Sequence, residues 1–131
     1  MIRRLAFGIT YAAIIGGLAA CASQQSQQIA ETPPPASPIA VADRITRAIY
    51  DDRPSAVTTD FNDALRRQVH REDVAAISHR MHRLGDYHGL VAQDVNPDTG
   101  RYVFAADFTR GMMQIRLRLD RYGKVAAYRV K

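Results

Sequence analysis

The sequence predicts an α+β domain, two to three N-terminal helices packed on a four-stranded antiparallel meander sheet, and three observations predict it. Apolar residues recur at helical spacing from Val41 to Leu84; after Gly85 the period falls to two; turn signals then cut the remainder into four short segments. One face of such a sheet must be covered, and the helices carry apolar stripes suited to covering it.

Val41, Ile45, Ala48 and Ile49 fall at i, i+4, i+7 and i+8, which predicts a first helix ending near Tyr50. Asp51-Asp52-Arg53-Pro54 breaks it, and Pro54 suits the first turn of a short second helix through about Thr59. Phe61, Leu65 and Val69 continue at four-residue spacing, and the residues from Asp60 to Gln68 read as either a regular helix or a compact turn. A firmer helix runs from Arg71 to Leu84, with Val74, Ile77, Met81 and Leu84 on one face. Glu72 and Asp73 in its first turn and Arg80 and Arg83 near its end complement the helix dipole, and Gly85 follows as a left-handed cap.

The first strand spans Tyr87 to Val95 and stops at the turn signal Asn96-Pro97-Asp98-Thr99-Gly100. The second covers Arg101 to Phe108, with Tyr102, Phe104, Ala106 and Phe108 on one face. After a turn at Thr109-Arg110-Gly111, Met113, Ile115, Leu117 and Leu119 alternate with Gln114, Arg116 and Arg118 in the third. Asp120-Arg121-Tyr122-Gly123 suits a hairpin loop, returning the chain as a final strand from Lys124 to Val130.

Ahead of this domain, which runs from Val41 to Lys131, the sequence changes character twice. Arg3-Arg4, an apolar stretch from Leu5 to Leu18, and small residues beyond have the three parts of a secretory signal. The run from Leu5 to Ala20 is interrupted by Gly8, Thr10, Gly16 and Gly17 and is shorter than the about 20 apolar residues a spanning helix needs. Leu18-Ala19-Ala20-Cys21 resembles the lipobox of bacterial lipoproteins. The resemblance implies cleavage before Cys21, a thioether-linked diacylglyceryl group and an N-acyl chain (such as palmitate) on that cysteine, and a membrane-attached product. Ala22, in place of Asp, implies sorting to the outer membrane, facing the periplasm. The ordinary alternative is cleavage after Ala22, since Ala20-Cys21-Ala22 also satisfies the small-x-small rule. Residues 21–40, rich in Gln, Ser and Pro, read as a disordered tether between anchor and domain. Cys21 is the sole cysteine, so no intrachain disulfide is possible and the fold must stand on its apolar core.

From Val41 to Val130 the order of elements, Leu84-Gly85 at the end of the last helix, and the closing hairpin from Leu117 to Val125 resemble the compact bacterial members of the nuclear transport factor two-like superfamily. These have a cystatin-like fold and include uncharacterised exported and lipoprotein domains. The resemblance implies a curved sheet wrapped into a cone whose mouth holds a ligand, an active site or nothing. Enzymatic members resembling ketosteroid isomerase or dehydratases use an acid or base inside the cone, for which His88, Tyr102 and Asp107 are the candidates here. Alternation places Tyr102 and Asp107 on opposite faces of their strand, which weakens that reading.

Tyr87, Tyr102, Phe104, Phe108 and Tyr128 are the candidate lining of a pocket, against the ordinary reading that they fill the core. His79 and His82 stand at i, i+3, but both fall off the apolar stripe of their helix and no second ligand cluster accompanies them, so no metal is expected. No cofactor is implied either. Lys and Arg total 18 against 13 Asp and Glu; loss of Arg3 and Arg4 leaves 16 against 13, a net +3. Arg116 and Arg118 share a polar strand face, extended by Arg110 or Arg129, and could meet anionic headgroups, lipopolysaccharide phosphates or an acidic partner, against the ordinary reading of a solvated sheet face. The expected compartment holds little nucleic acid and no stacking aromatic array accompanies the arginines, so no nucleic acid is expected as a partner. No residue pattern names a reaction. The reading is a membrane-anchored periplasmic module that binds a small ligand or an envelope protein without catalysis; the alternatives are a small isomerase- or dehydratase-like enzyme and a structural protein assembling through a sheet edge.

Overall fold

The computed structural model describes residues 36–131; the signal stretch 1–20, Cys21 and the tether as far as Pro35 lie outside the described residues. Helices α1 (Pro38–Tyr50), α2 (Pro54–Val57), α3 (Asp63–Arg66) and α4 (Arg71–Arg83) precede strands β1 (Tyr87–Asn96), β2 (Arg101–Phe108), β3 (Gly111–Leu119) and β4 (Val125–Val130). The strands form one open antiparallel sheet in the order β1-β2-β3-β4.

Helix α1 begins at Pro38, three residues before the expected domain boundary at Val41. Ser37 caps it, its Oγ accepting from the Ala40 N–H at 3.4 Å, and Pro38 occupies the first turn, where its missing N–H is no loss. Composition marks Pro38 as linker, but its backbone preference also suits a helix start. Residues 38–40 of the expected tether therefore belong to the domain. Val41, Ala42, Ile45, Ala48 and Ile49 bury one stripe of the helix against the sheet side.

Four helices stand where two or three were expected, because α2 and α3 are single turns. Between them Phe61 forms a parallel bridge with Val125, flanked by Asn62 N–H to Val125 O and Val125 N–H to Asp60 O, both 2.9 Å. This pairing spends the backbone groups a continuous helix would need. Asn62 then caps α3, its Oδ1 accepting from Leu65 N–H at 2.8 Å.

Helix α4 stops at Gly85, whose φ of +94° disfavours any residue with a side chain; a Cβ there would also stand 2.9 Å from Thr109 Cβ. Its last carbonyls are not left bare. Arg110 Nη2 donates to Arg83 O at 2.8 Å and the Arg110 N–H to Leu84 O at 2.8 Å, so the β2–β3 turn clamps the helix end.

Tyr102, Phe104, Ala106 and Phe108 of β2 and Met113, Ile115 and Leu117 of β3 face the helices and form the core with Ile45, Ile49, Val57, Met81 and Val125. Bulges at His88, Gln93 and Ala126 shift the outer-strand registers by one residue each. The last keeps Val125 inward beside Leu119 and turns Ala127 outward opposite Arg118.

Candidate functional site on the open face of the sheet

Strand pairing assembles a basic surface on the face away from the helices. A two-residue turn at Thr109-Arg110 pairs Phe108 with Gly111, and counting outward from it brings Arg101 opposite Arg118 and Val103 opposite Arg116. On the other side of β3, Arg129 lies opposite Arg116, and Lys131 exchanges both backbone hydrogen bonds with Gln114 at 3.0 and 2.9 Å. Cross-strand neighbours of this kind sit about 5 Å apart at Cα, and i, i+2 neighbours on one strand about 7 Å. Arg101, Arg116, Arg118, Arg129 and Lys131 are all exposed.

The arginines border a groove of about 530 Å³ whose floor includes Val103 and Ala127. Its acidic member is Asp94, which pairs with Val103 at the β1 edge. Among the described residues no ion pair involves any of these four arginines; Arg116 Nε donates instead to Gln114 Oε1 at 2.9 Å. Like charges directly opposite on adjacent strands are destabilising, so Arg101–Arg118 and Arg116–Arg129 work against the fold. Arginine is also the side chain whose planar fork matches phosphate and carboxylate oxygens two at a time.

Of the expected basic patch, Arg116, Arg118 and Arg129 share this face. Arg110 does not join it, being engaged on the end of α4. Arg101 and Lys131 escaped the reading of single strands, although the register from the two-residue turn would have exposed Arg101.

The aromatic candidates lie on the inner side. Phe104 and Phe108 are 1% and 3% exposed; Tyr102 stacks parallel to Phe104 with centroids 6.4 Å apart. Tyr87 packs on Phe108 at 5.5 Å, and its hydroxyl donates to Asp43 Oδ1 at 2.7 Å while Arg47 Nε binds Asp43 Oδ2 at 2.8 Å. Burial first, then the bond to Asp43, pushes the Tyr87 phenol well above its ordinary value. The Thr46 hydroxyl donates to Ala42 O at 2.7 Å, so at 2.8 Å it must accept from the Tyr128 hydroxyl, whose pKa burial also raises. Tyr128 borders a helix-side pocket of about 210 Å³ with Ile49, Val57, Phe61, Leu65 and Ile77. Tyr87, Phe104 and Phe108 border neither this pocket nor the groove.

The three candidate acid–base residues are not brought together. Tyr102 is buried inward, Asp107 is exposed outward, and His88, on its bulge, bonds Thr109 Oγ1 at 3.2 Å. His79 is exposed. His82 is also exposed, yet its ring stacks on Tyr50 with centroids 4.0 Å apart and its Nε2 meets Tyr50 O at 2.8 Å, beside Ser78 Oγ at 3.1 Å. It ties α4 to the end of α1, a packing role that helical spacing alone does not reveal. Among the described residues no three His, Cys, Asp or Glu side chains converge as a metal site would require, and no helix is long and apolar enough to cross a membrane.

Comparison of the chain with protein families, with curated proteins and with solved structures found no match.

Proposed function

We propose that this chain is a bacterial envelope lipoprotein, held to a membrane through Cys21, whose small nuclear transport factor two-like domain binds an anionic partner on its open sheet face without catalysis. One observation carries the binding half of this reading. Four exposed arginines, two pairs of them directly opposed, surround one groove and have no carboxylate pairing among the described residues. A sheet face that served only solubility would gain from alternating sign, since opposed unlike charges contribute where like charges cost.

The enzyme alternative would use the helix-side pocket. The acid at that pocket is Asp73, whose Oδ2 accepts from the His70 N–H at 3.2 Å as part of the start of α4, and Tyr128 there donates its proton to Thr46. Both groups have structural tasks, which leaves that pocket without a free acid–base pair.

Intact mass spectrometry of protein extracted from membranes tests the anchor. The reading requires a chain that begins at Cys21 and carries acyl groups; a chain beginning at Met1 or at Ser23 would overturn it. For the binding surface, Arg116→Glu/Arg118→Glu should abolish capture of the anionic partner from crosslinked envelopes, and capture unchanged from the native chain would remove the open face from consideration.

A further inference from the structure

We propose that the occupant of the open sheet face is an anionic phospholipid surface, so that the domain lies face-down on the bilayer as a second membrane contact beside its anchor. This deepens the proposed function, resting on it only for the bilayer's proximity. Two features of the face select a lipid surface over an acidic protein.

The first is charge. Arg101, Arg116, Arg118, Arg129 and Lys131 share the face with the acids Asp94 and Asp107, and the cations gather where β2, β3 and β4 run side by side. Phosphodiester headgroups present a laterally mobile array of oxygens that can move to wherever a guanidinium stands. A folded acidic partner would need its carboxylates fixed at the spacing of this grid.

The second is the other end of the same face. Met112 and Val91 are each 59% exposed there. Met112 pairs with Asp107, which pairs with Gly89, and Val91 pairs with Ala105, so the neighbours are short and both apolar side chains stand clear of the sheet. Arg101, Arg116, Arg118 and Arg129 stand at one end and Met112 and Val91 at the other, where Asp107 pairs with Met112 and Lys131 shares the row of Val91, Ala105 and Gln114; a face tilted with that end inward sets the two apolar side chains below the headgroups and keeps the arginines among the phosphates.

Reach permits the contact. At no more than about 3.5 Å per residue, the 16 residues from Ala22 to Ser37 cannot place the domain farther than roughly 56 Å from Cys21. The acylated cysteine holds the chain at the membrane, and each basic residue near an anionic surface shifts the equilibrium between a lifted and a seated domain about fivefold.

The test uses the membrane-extracted chain carrying Met112→Cys with an environment-sensitive fluorophore on that thiol, and a second chain carrying His79→Cys on the exposed side of α4 as its control. Vesicles contain lipids with brominated acyl chains, either phosphatidylglycerol with phosphatidylethanolamine or phosphatidylcholine alone. Quenching of the Met112→Cys label in the phosphatidylglycerol vesicles is expected, with none in phosphatidylcholine and none at His79→Cys in either. Arg116→Gln should lower the ratio of quenched to unquenched label at Met112→Cys about fivefold, and added salt should lower it further. Equal signals in the two lipids, or equal quenching at both positions, would overturn the proposal, as would capture of an envelope protein by the face while the label stays unquenched. Failure of the anchor reads separately. An unacylated Cys21 takes up a second fluorophore; quenching confined to Met112→Cys then retires the anchor and leaves the lipid contact, whereas acylated chains with an unquenched label do the reverse.

Discussion

Replacing Thr46 by Val tests the account of the interior where it is most specific. Thr46 is fully buried, and its hydroxyl both donates to Ala42 O at 2.7 Å and accepts from Tyr128 at 2.8 Å. Valine keeps the shape, loses a back-bond that contributes little within a helix, and strands the Tyr128 hydroxyl without an acceptor. An unmet buried donor costs about 1–3 kcal/mol, whereas removing both partners together is close to neutral. Thr46→Val should therefore lower stability by about 2 kcal/mol, and Thr46→Val/Tyr128→Phe should recover most of it, a coupling of at least about 1 kcal/mol in the double-mutant cycle. Urea unfolding followed by far-ultraviolet circular dichroism, with the slope checked for constancy, reads all four corners. If the double variant is as unstable as Thr46→Val plus Tyr128→Phe taken separately, the hydroxyls do not satisfy one another and the proton assignment given above is wrong.

Other consequences follow from the same structure. The folded domain holds the Tyr128 proton above the ordinary phenol value of 10.0, so its stabilising effect is complete below pH 10 and fades above it, where the unfolded chain sheds a proton that the folded one keeps. Tyr87, raised in the same sense, adds an equal effect, so each phenol contributes up to about 1.4 kcal/mol per pH unit above pH 10, and Tyr128→Phe should remove about half of their joint slope in unfolding curves taken from pH 9 to 11. Gly85→Ala forces a positive φ and a Cβ 2.9 Å from Thr109 Cβ, and should cost about 2 kcal/mol in the same urea assay; a change under about 0.5 kcal/mol would show that the helix end relaxes freely.

Much of this architecture was legible because two periods leave different marks. Met113, Ile115 and Leu117 announce their strand by alternation, and Val74, Ile77 and Met81 announce their helix, since each pattern buries one face only in one conformation. Residues 58–62 were not legible, for their conformation is set by the pairing of Phe61 with Val125, a contact across 64 positions that no local pattern encodes. Pro38 hid a helix start behind the composition of a linker. At the candidate site, Arg116 and Arg118 could be found from one strand, but their surroundings come from register. Arg101 follows by counting from a two-residue turn, whereas Arg129 and Lys131 depend on the bulge at Ala126, which alternation does not predict. Sequence also placed the aromatics on the inner face without saying whether that face is hollow, because the answer depends on how closely the helices approach. In the structure Phe104 and Phe108 are packed, a pocket of about 210 Å³ lies beside Tyr128 on the helix side, and the groove of about 530 Å³ lies on the other side of the sheet.

Whether the opposed arginines exist to bind and not to hold the fold can be read from one variant measured twice. Arg116→Gln removes the like-charge opposition to Arg129 while keeping an amide beside Gln114. Urea unfolding should show it more stable than the native domain by about 0.2–1 kcal/mol at low salt, while the ratio of quenched to unquenched label at Met112→Cys on phosphatidylglycerol vesicles falls about fivefold. A variant that is less stable and keeps the native ratio of quenched to unquenched label would show that Arg116 is part of the scaffold instead.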